Sequence, residues 1–491
     1  MRITASMFYG LHQPSTCDLR AYLRAKGVKE SKPSPYEEVV IELGQRYEDD
    51  QFAKIGECIN LSNGDEDQRV AQTLEHVRRG SVALYQPTFR AEIEINGTKC
   101  IVVGQPDFLI RDGGEYAIRD VKLSRRINEK DHPEILFQLG IYGLLYERNL
   151  GKRPTRLEVL AGSGATELIP LDYIDKALRE AQRLVSVITA SSEPFSPVGW
   201  SKCGGCAFKD RCWPLAVEGR DVGTVPGIDQ GLVRALRDEG VSTIAELLER
   251  FDEARLSNFE RPWGGRKQRV GKSAQKILRL ARALATGKEE VIQKPKIPDS
   301  PDYVMFDLEG LPPQLDDLDK IYLWGMQVFG TNPSDYIGKV AGLGPNGDRE
   351  GWLQFLAAAK LLFDKYGDIP FVHWHVYEKT HLHRYIERYG DAEGIAARIA
   401  KNLFDLLPAT QESIALPISS YSLKVVEEYV GYKRTQDEYG GDWAMATFIK
   451  ATETSDSNER EKMLKEILIY NKEDLAATWA VLQWLRGKSL Q

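Results

Sequence analysis

Two short groups of acids, far apart in the chain, have the spacing of a metal site. In YVMFDLEG (303–310), Asp307 and Glu309 end an apolar run rich in strand-forming residues. Residues i and i+2 of a strand share a face, so these two carboxylates point the same way. Like charges on one face repel unless a cation lies between them. Hard divalent cations such as magnesium or manganese take oxygen ligands, and a metal pair stabilises both the attacking and the leaving oxygen in phosphoryl transfer. Alone, the pair also fits two solvated acids at a strand end. Near the C-terminus, however, the helical run MLKEILIYNKEDLAATWAVLQWL carries Tyr470 and Asp474 four apart, on one helix face that continues through Thr478. An acid on an otherwise apolar face needs a partner, because an unpaired buried charge is costly. A metal beneath the helix supplies one.

The elements that must position these acids read as three strands, a helix, a strand and a helix. The strands are 303–310, 321–330 and 335–343, the helix is 352–367, the fourth strand is 369–375 and the second helix is 378–390. That order makes a mixed sheet covered by helices. With Asp307-Leu308-Glu309 as a first motif and Tyr470-x-x-x-Asp474 as a last one, residues 303–487 resemble the DEDD superfamily of 3′–5′ exonucleases, which have an RNase H-like fold. The resemblance implies that the carboxylates hold two metal ions and that Tyr470 helps to place the attacking water. The middle motif of that family has Asp after the fourth strand. Here HWHVYEKTHL offers Glu378, with Asp405 of NLFDLLPA as the second candidate. His373 and His375 read as ordinary core or surface histidines.

A second constellation lies in the N-terminal half. KCIVVGQPDFLIRDGGEYAIRDVKLSRR (99–126) reads as two strands joined by a turn at 112–114. Alternation puts Asp120 and Lys122 on one face, with Asp107 on the adjacent strand. Such a set can bind a metal, position a water and stabilise charge developing on a phosphate. A bare D-x-K is otherwise a surface ion pair of little worth. The helix 132–147 presents Gln138 and Tyr142 four apart, and ELGQRYEDD (42–50) puts Glu48 in a helical stretch. Together these residues resemble the PD-(D/E)xK nucleases of the RecB family. The resemblance implies roles for Glu48 as the first acid, Asp107 after Gly104, Asp120 and Lys122 as the core motif, and Gln138 with Tyr142 as the following helix motif.

Cys203, Cys206 and Cys212 lie close together among Gly204, Gly205 and Lys209. Thiolates at this spacing suit zinc or an iron–sulfur cluster, and Cys17 is the natural fourth ligand. The set resembles the iron–sulfur-bearing RecB-family nucleases, which implies a [4Fe–4S] cluster on Cys17, Cys203, Cys206 and Cys212, with zinc as the alternative. Cys58 and Cys100 read as core residues.

Between the two halves, VPGIDQGLVRALRDEGVSTIAELLER (225–250) reads as helix, tight glycine turn, helix. It resembles a helix–hairpin–helix module, whose turn amides take phosphates without reading sequence. A less regular second copy is VGKSAQKILRLARAL (270–284). RPWGGRKQRVGKSAQK (261–276) holds six basic residues and no acid. Arg261, Arg266, Lys267, Arg269, Lys272 and Lys276 could track a nucleic-acid backbone, with Trp263 stacking on a base. The alternative is a solvated basic loop. IQKPKIPDSPD (292–302), with three prolines, reads as a linker.

The 491 residues carry a net charge of -7, from 65 basic and 72 acidic side chains. A general polyanion binder would be basic, so nucleic acid must be met by local patches. Charged residues at 28% and hydrophobic ones at 42% exclude disorder and collagen-like structure. No apolar run approaches the roughly 18 residues of a membrane span, and the N-terminus lacks the long apolar stretch of a signal peptide, so a cytoplasmic protein is expected. Six cysteines do not make a disulfide scaffold.

The expected architecture is α/β in three parts: a restriction-endonuclease-like iron–sulfur domain at 1–218, a helix–hairpin–helix segment at 219–290 and, after a linker at 291–302, an RNase H-like exonuclease domain at 303–491. Over almost its whole length the chain resembles RecB-family nucleases that join these parts. The resemblance implies a magnesium- or manganese-dependent nuclease acting on DNA, single-stranded or at ends, with two active sites. No G-x-x-x-x-G-K-[ST] loop occurs, so unwinding would come from a separate helicase. The alternatives are a nucleic-acid-binding scaffold in a repair or defence complex, and an RNase, since fold alone does not separate DNA from RNA.

Overall fold

The computed structural model describes residues 1–312, 319–436 and 440–489. The chain forms two compact units. The first comprises Met1–Pro33, Glu37–Ser196 and Ser201–Asp210, and the second Ser34–Tyr36, Pro197–Trp200 and Arg211–Gln491.

The first unit has two sheets. A six-stranded sheet runs in the order Ile59–Asn60, Ala83–Tyr85, Phe108–Asp112, Glu115–Lys122, Leu157–Ala161 and Thr166–Ile169. A three-stranded sheet joins Arg2–Thr4, Thr98–Gly104 and Phe89–Ile95. The run 99–112, read from sequence as one strand, is therefore two. Thr98–Gly104 belongs to the small sheet and Phe108–Asp112 to the large one. The break falls at Gln105-Pro106-Asp107, where Pro106 has no N–H to continue a ladder. The chain crosses between sheets there, and Asp107 sits at the crossing. The turn at Gly113 and Gly114 then returns the chain antiparallel, pairing Phe108 with Arg119 and Asp112 with Glu115. The Pro133–Leu150 helix packs Ile135, Leu139, Tyr142 and Tyr146 into one core with Val102, Ile118 and Leu157. At Gly104 a Cβ would come within 2.7 Å of Leu145 and 2.8 Å of Tyr142, so only glycine lets that strand lie so close to the helix.

The second unit is built on a five-stranded mixed sheet, in the order Ile337–Val340, Lys320–Gly330, Asp302–Leu311, Phe371–His373, Leu403–Asp405. The first two pairings are antiparallel and the last two parallel. The two faces of the Asp302–Leu311 strand go to different cores. Val304, Phe306 and Leu308 pack with Trp352 and Phe355 of the Gly344–Tyr366 helix. Tyr303 and Met305 pack with Leu475, Val481, Leu482 and Leu485 of the Ser457–Ser489 helix. Period-2 alternation extends that second face to Asp307 and Glu309, beneath the long helix.

The helical segment also belongs to this unit. Val222, Leu232, Leu247 and Ile277 share the core of Tyr303 and Leu475. The helices Gln230–Asp238 and Ile244–Arg250 flank a turn with Gly240 at φ +75. The basic run is not a loop. Glu260–Trp263 and Arg266–Arg269 pair antiparallel as a hairpin, closed by Gly264 and Gly265 at φ +54 and +80. Two consecutive positive-φ residues are what a two-residue hairpin turn requires. Among the described residues, no helix is long and apolar enough to cross a membrane.

Candidate active sites

In the first unit the strand pair brings Asp107, Asp120 and Lys122 together, with Glu48, Gln138 and Tyr142 on the helices beside them. Lys122 Nζ lies 2.5 Å from Asp120 Oδ2. Asp107 Oδ2 accepts the Val121 amide at 2.7 Å, and the Asp107 amide faces Asp120 Oδ1 at 3.4 Å. Glu48, from the Pro35–Lys54 helix, accepts Gln86 Nε2 at 2.6 Å and also meets the Tyr85 hydroxyl. Burial, then the charges of Asp120 and Glu48, push the Asp107 carboxyl well above the usual range, against the pull of Lys122. Burial opposes the charge of Lys122, but Asp120 and Asp107 outweigh it and hold the amine above its ordinary value. Gln138 bonds to Tyr142, whose phenol burial, Asp120, Asp107 and Glu48 all push up. Among the described residues, Gln138 Oε1 is buried without a hydrogen-bond partner.

In the second unit, half-buried Asp307 and buried Glu309 and Asp474 each offer an oxygen within 4.8 Å of the others. The long helix lies over the odd-numbered face of the central strand, which closes the sequence gap between them. Asn471 Nδ2 donates to Asp307 Oδ2 at 2.7 Å, and Tyr336 donates to Asn471 Oδ1 at 2.8 Å. The Tyr470 hydroxyl donates to Asp474. Burial drives the Asp307 and Glu309 carboxyls well above their usual range, reinforced by Asp474 and Glu378 and opposed by Arg434. Burial also raises Asp474, against the charge and hydrogen bond of Arg434.

Glu378 lies outside this group of three. Its Oε2 is 3.2 Å from His373 Nδ1, which is also 2.7 Å from His375 O. It still raises Asp307 and Glu309 through its charge. Asp405 caps the Leu406–Ser413 helix, its Oδ1 accepting the amides of Leu407 and of His375, the latter at φ +78.

Arg434, Asn471 and Tyr336 escape sequence reasoning. Arg434 Nη2 lies 2.5 Å from Asp474 Oδ1, and its Nε 2.5 Å from Glu427 Oε1. Asn471 stands beside Tyr470, and that adjacency was the available signal. Tyr322 and Tyr377 are further phenols raised by burial and by these acids.

The donor set fits a hard divalent cation. Three carboxylates crowd together, and burial and the neighbouring acids raise those of Asp307 and Glu309, a cost that a bound cation would relieve.

The cysteines divide by element. Cys17 precedes the Asp18–Ala25 helix, its thiol 3.2 Å from Ser196 Oγ. Cys206 follows Cys203 through a turn, its amide 3.2 Å from the Cys203 carbonyl. Buried Arg20 ties the first segment to the second. It donates to Gly10 O and Leu11 O at 2.7 and 3.1 Å, and its Nη1 lies 3.9 Å from Cys206 Sγ. Ser15 adds a bond to Lys202 O at 3.2 Å. Cys212 lies in the Lys209–Glu218 helix. On the hairpin, Trp263 is 56% exposed, with Arg261 over its ring at 4.5 Å. Arg266, Lys267 and Arg269 are exposed, and Lys272 begins the Ser273–Thr286 helix.

Each set of residues lies within a region that matches a nuclease-type family model. Residues 11–213 match the PD-(D/E)XK nuclease superfamily, and residues 304–486 match RNase_H_2 of the RNase H superfamily. The chain thus carries two nuclease-type domains, one from each superfamily, in a mixed α/β architecture. A solved structure titled "Crystal structure of SSO0001" is 19% identical, with 35% of this chain and 95% of that chain covered and a TM-score of 0.21. No curated protein matches the chain.

Proposed function

We propose that the protein is a metal-dependent DNA nuclease with two active sites, and that its C-terminal site is a 3′–5′ exonuclease acting on single strands or ends. The observation that carries this reading is the convergence of Asp307, Glu309 and Asp474 from opposite ends of the domain. Magnesium or manganese at such a site supplies Lewis acidity and a water of lowered pKa. Asp307, Glu309 and Asp474 would hold it, with Glu378 or Asp405 as outer acids. The Tyr470 hydroxyl, already oriented by Asp474, would position the attacking water. Asn471 keeps Asp307 turned inward.

In the N-terminal site Glu48, Asp107 and Asp120 would hold the metal. Lys122 would meet charge developing on the phosphate, with Gln138 and Tyr142 fixing its surroundings. Arg266, Lys267, Arg269 and Lys272 would follow the backbone while Trp263 stacks on a base. The helix pair around Gly240 would add a helix–hairpin–helix phosphate contact.

Cys17, Cys203, Cys206 and Cys212 would hold a [4Fe–4S] cluster of the RecB-family kind, zinc being the alternative. The Arg20 and Ser15 bonds between the Cys17 and Cys206 segments support a shared ligand set. Anaerobic purification is expected to give a brown protein with iron and sulfide, and a colourless zinc protein would overturn the cluster. A cytoplasmic place and a separate helicase are in keeping with this activity.

The test is a panel of end-labelled single- and double-stranded DNA and RNA with each metal. Asp307→Ala should abolish 3′–5′ trimming of single-stranded DNA and leave binding intact. Unchanged trimming removes the C-terminal assignment. Cleavage of RNA alone, or binding without any cleavage, selects the RNase or the scaffold instead.

A further inference from the structure

The chain that follows the Leu423–Tyr429 helix grips the long C-terminal helix at two successive positions. The Thr435 amide donates to Glu473 Oε1 at 2.8 Å, and Arg434 Nη2 holds Asp474 Oδ1 at 2.5 Å. The same guanidinium takes Glu427 through Nε at 2.5 Å and Nη2 at 2.7 Å. A surface arginine would move among rotamers. This one has a side chain 4% exposed, fixed by two acids and anchored through its neighbour. It is a standing positive charge inside the acid cluster, in a planar fork suited to carboxylate and phosphate. Its Nη1 is buried with no hydrogen-bond partner among the described residues. An orphan charged donor is costly, and a phosphate oxygen is the acceptor that would satisfy it best.

The charge count limits what else fits. Asp307, Glu309 and Asp474 carry three negative charges when ionised. One divalent ion and Arg434 balance them. Two divalent ions and Arg434 bring five positive charges, which balance only if Glu427, held by Arg434, and Glu378, held by His373, are counted with the three. Arg434 also occupies an oxygen of Asp474 that a second ion would need.

We propose that Arg434 fills the place of a second cation, so that Asp307, Glu309 and Asp474 take a single divalent ion and the guanidinium supplies the other positive charge to the phosphate. The inference rests on the nuclease reading above and deepens it.

The experiment counts manganese on the full-length protein by calorimetry and electron paramagnetic resonance. The background is Asp107→Asn/Asp120→Asn, which silences the first unit. Ions at the C-terminal site are those lost when Asp307→Asn is added. One ion is expected with Arg434 in place and one with Arg434→Lys, which keeps the charge. Two are expected with Arg434→Gln/Glu427→Gln, which removes the guanidinium together with Glu427 and leaves Asp474 as the one acid freed, open to the second ion. Two ions with Arg434 present, or one in the double variant, overturn the inference and leave the nuclease reading standing. No ion in any of these proteins overturns both.

Discussion

Asn471 Nδ2 donates to Asp307 Oδ2 at 2.7 Å, and the space for that bond is made by Gly325. Gly325 stands opposite Asp307 in the strand register, and a Cβ there would lie 1.8 Å from Asn471 Oδ1. The glycine, the asparagine and the acid form one arrangement, in which a missing side chain on one strand admits an amide from the long helix. Tyr336 fixes the amide's orientation by donating to its oxygen.

Gly325→Ala is therefore expected to push Asn471 off Asp307. Overpacking of this kind costs about 1–3 kcal/mol, and Asn471→Leu should reproduce the loss of activity without the crowding. Both variants should weaken manganese binding and 3′–5′ trimming together. Thermal melting and end-labelled cleavage check this. Full trimming in Asn471→Leu would show that Asp307 needs no such support.

Metal removal should change the pH dependence of stability. Asp307, Glu309, Glu378 and Asp107 all have carboxyls raised in the folded protein, each with burial as the main cause. A raised acid keeps its proton when folded and releases it when unfolded. Its contribution is fully present below the ordinary carboxyl range of about 4 and is lost as pH rises through the folded value. In chelator, melting temperature should fall as pH climbs above the ordinary carboxyl range. Manganese needs the ionised carboxylates, so the stabilisation it gives should grow over the same window. Melting curves with and without chelator read both effects. Asp307→Asn/Glu309→Gln should flatten the chelator slope, and an unchanged slope would mean that these acids do not titrate there.

Lys122 separates the two sites. Its amine is kept charged by Asp120 and Asp107, and removing it leaves that acid pair without its cation. In an Asp307→Ala background, Lys122→Met should lower the remaining cleavage by about 100-fold or more, the usual effect of losing a group that meets transition-state charge. Binding of DNA should stay unchanged. Residual cleavage at full rate would assign it to some other part of the chain.

The motif residues were legible because their spacing matches an element period. Asp307 and Glu309 follow the strand repeat of two, and Tyr470 and Asp474 follow the helix repeat of four. The two nuclease-type domains follow from those pairs and from the D-x-K strand. Arg434 and Asn471 follow no period. One comes from an irregular segment and the other matters only because Gly325 has no side chain, and neither fact shows in a local pattern. The break at Pro106 went unread because apolar residues continue on both sides of it, so hydrophobicity alone made one strand of two. The Glu260–Arg269 hairpin was hidden for the opposite reason. Its strands are four residues each and almost wholly exposed, so no alternation marks them. The two glycines at its tip were the only local sign.

That hairpin gives the last prediction. In its register Trp263 stands opposite Arg266 and Pro262 opposite Lys267, so the two charges lie on opposite faces near the tip. Arg261 is committed to Asp229 and to the Trp263 ring, and Arg269 lies 3.8 Å from Glu260. Arg266 and Lys267 should then carry most of the phosphate contact and Trp263 the base contact. Each single-strand phosphate contact contributes about 0.7 to the slope of log affinity against log salt. Arg266→Ala/Lys267→Ala should lower that slope by about 1.4 in fluorescence anisotropy with labelled single-stranded DNA. Trp263→Ala should cost about 1–3 kcal/mol of binding, the range for a lost base stack, and leave the slope as it was. A charge variant that weakens binding equally at every salt concentration would exclude direct phosphate contact by the hairpin. A tryptophan variant that changes the slope would show that Trp263 acts by holding Arg261 in place rather than by meeting a base.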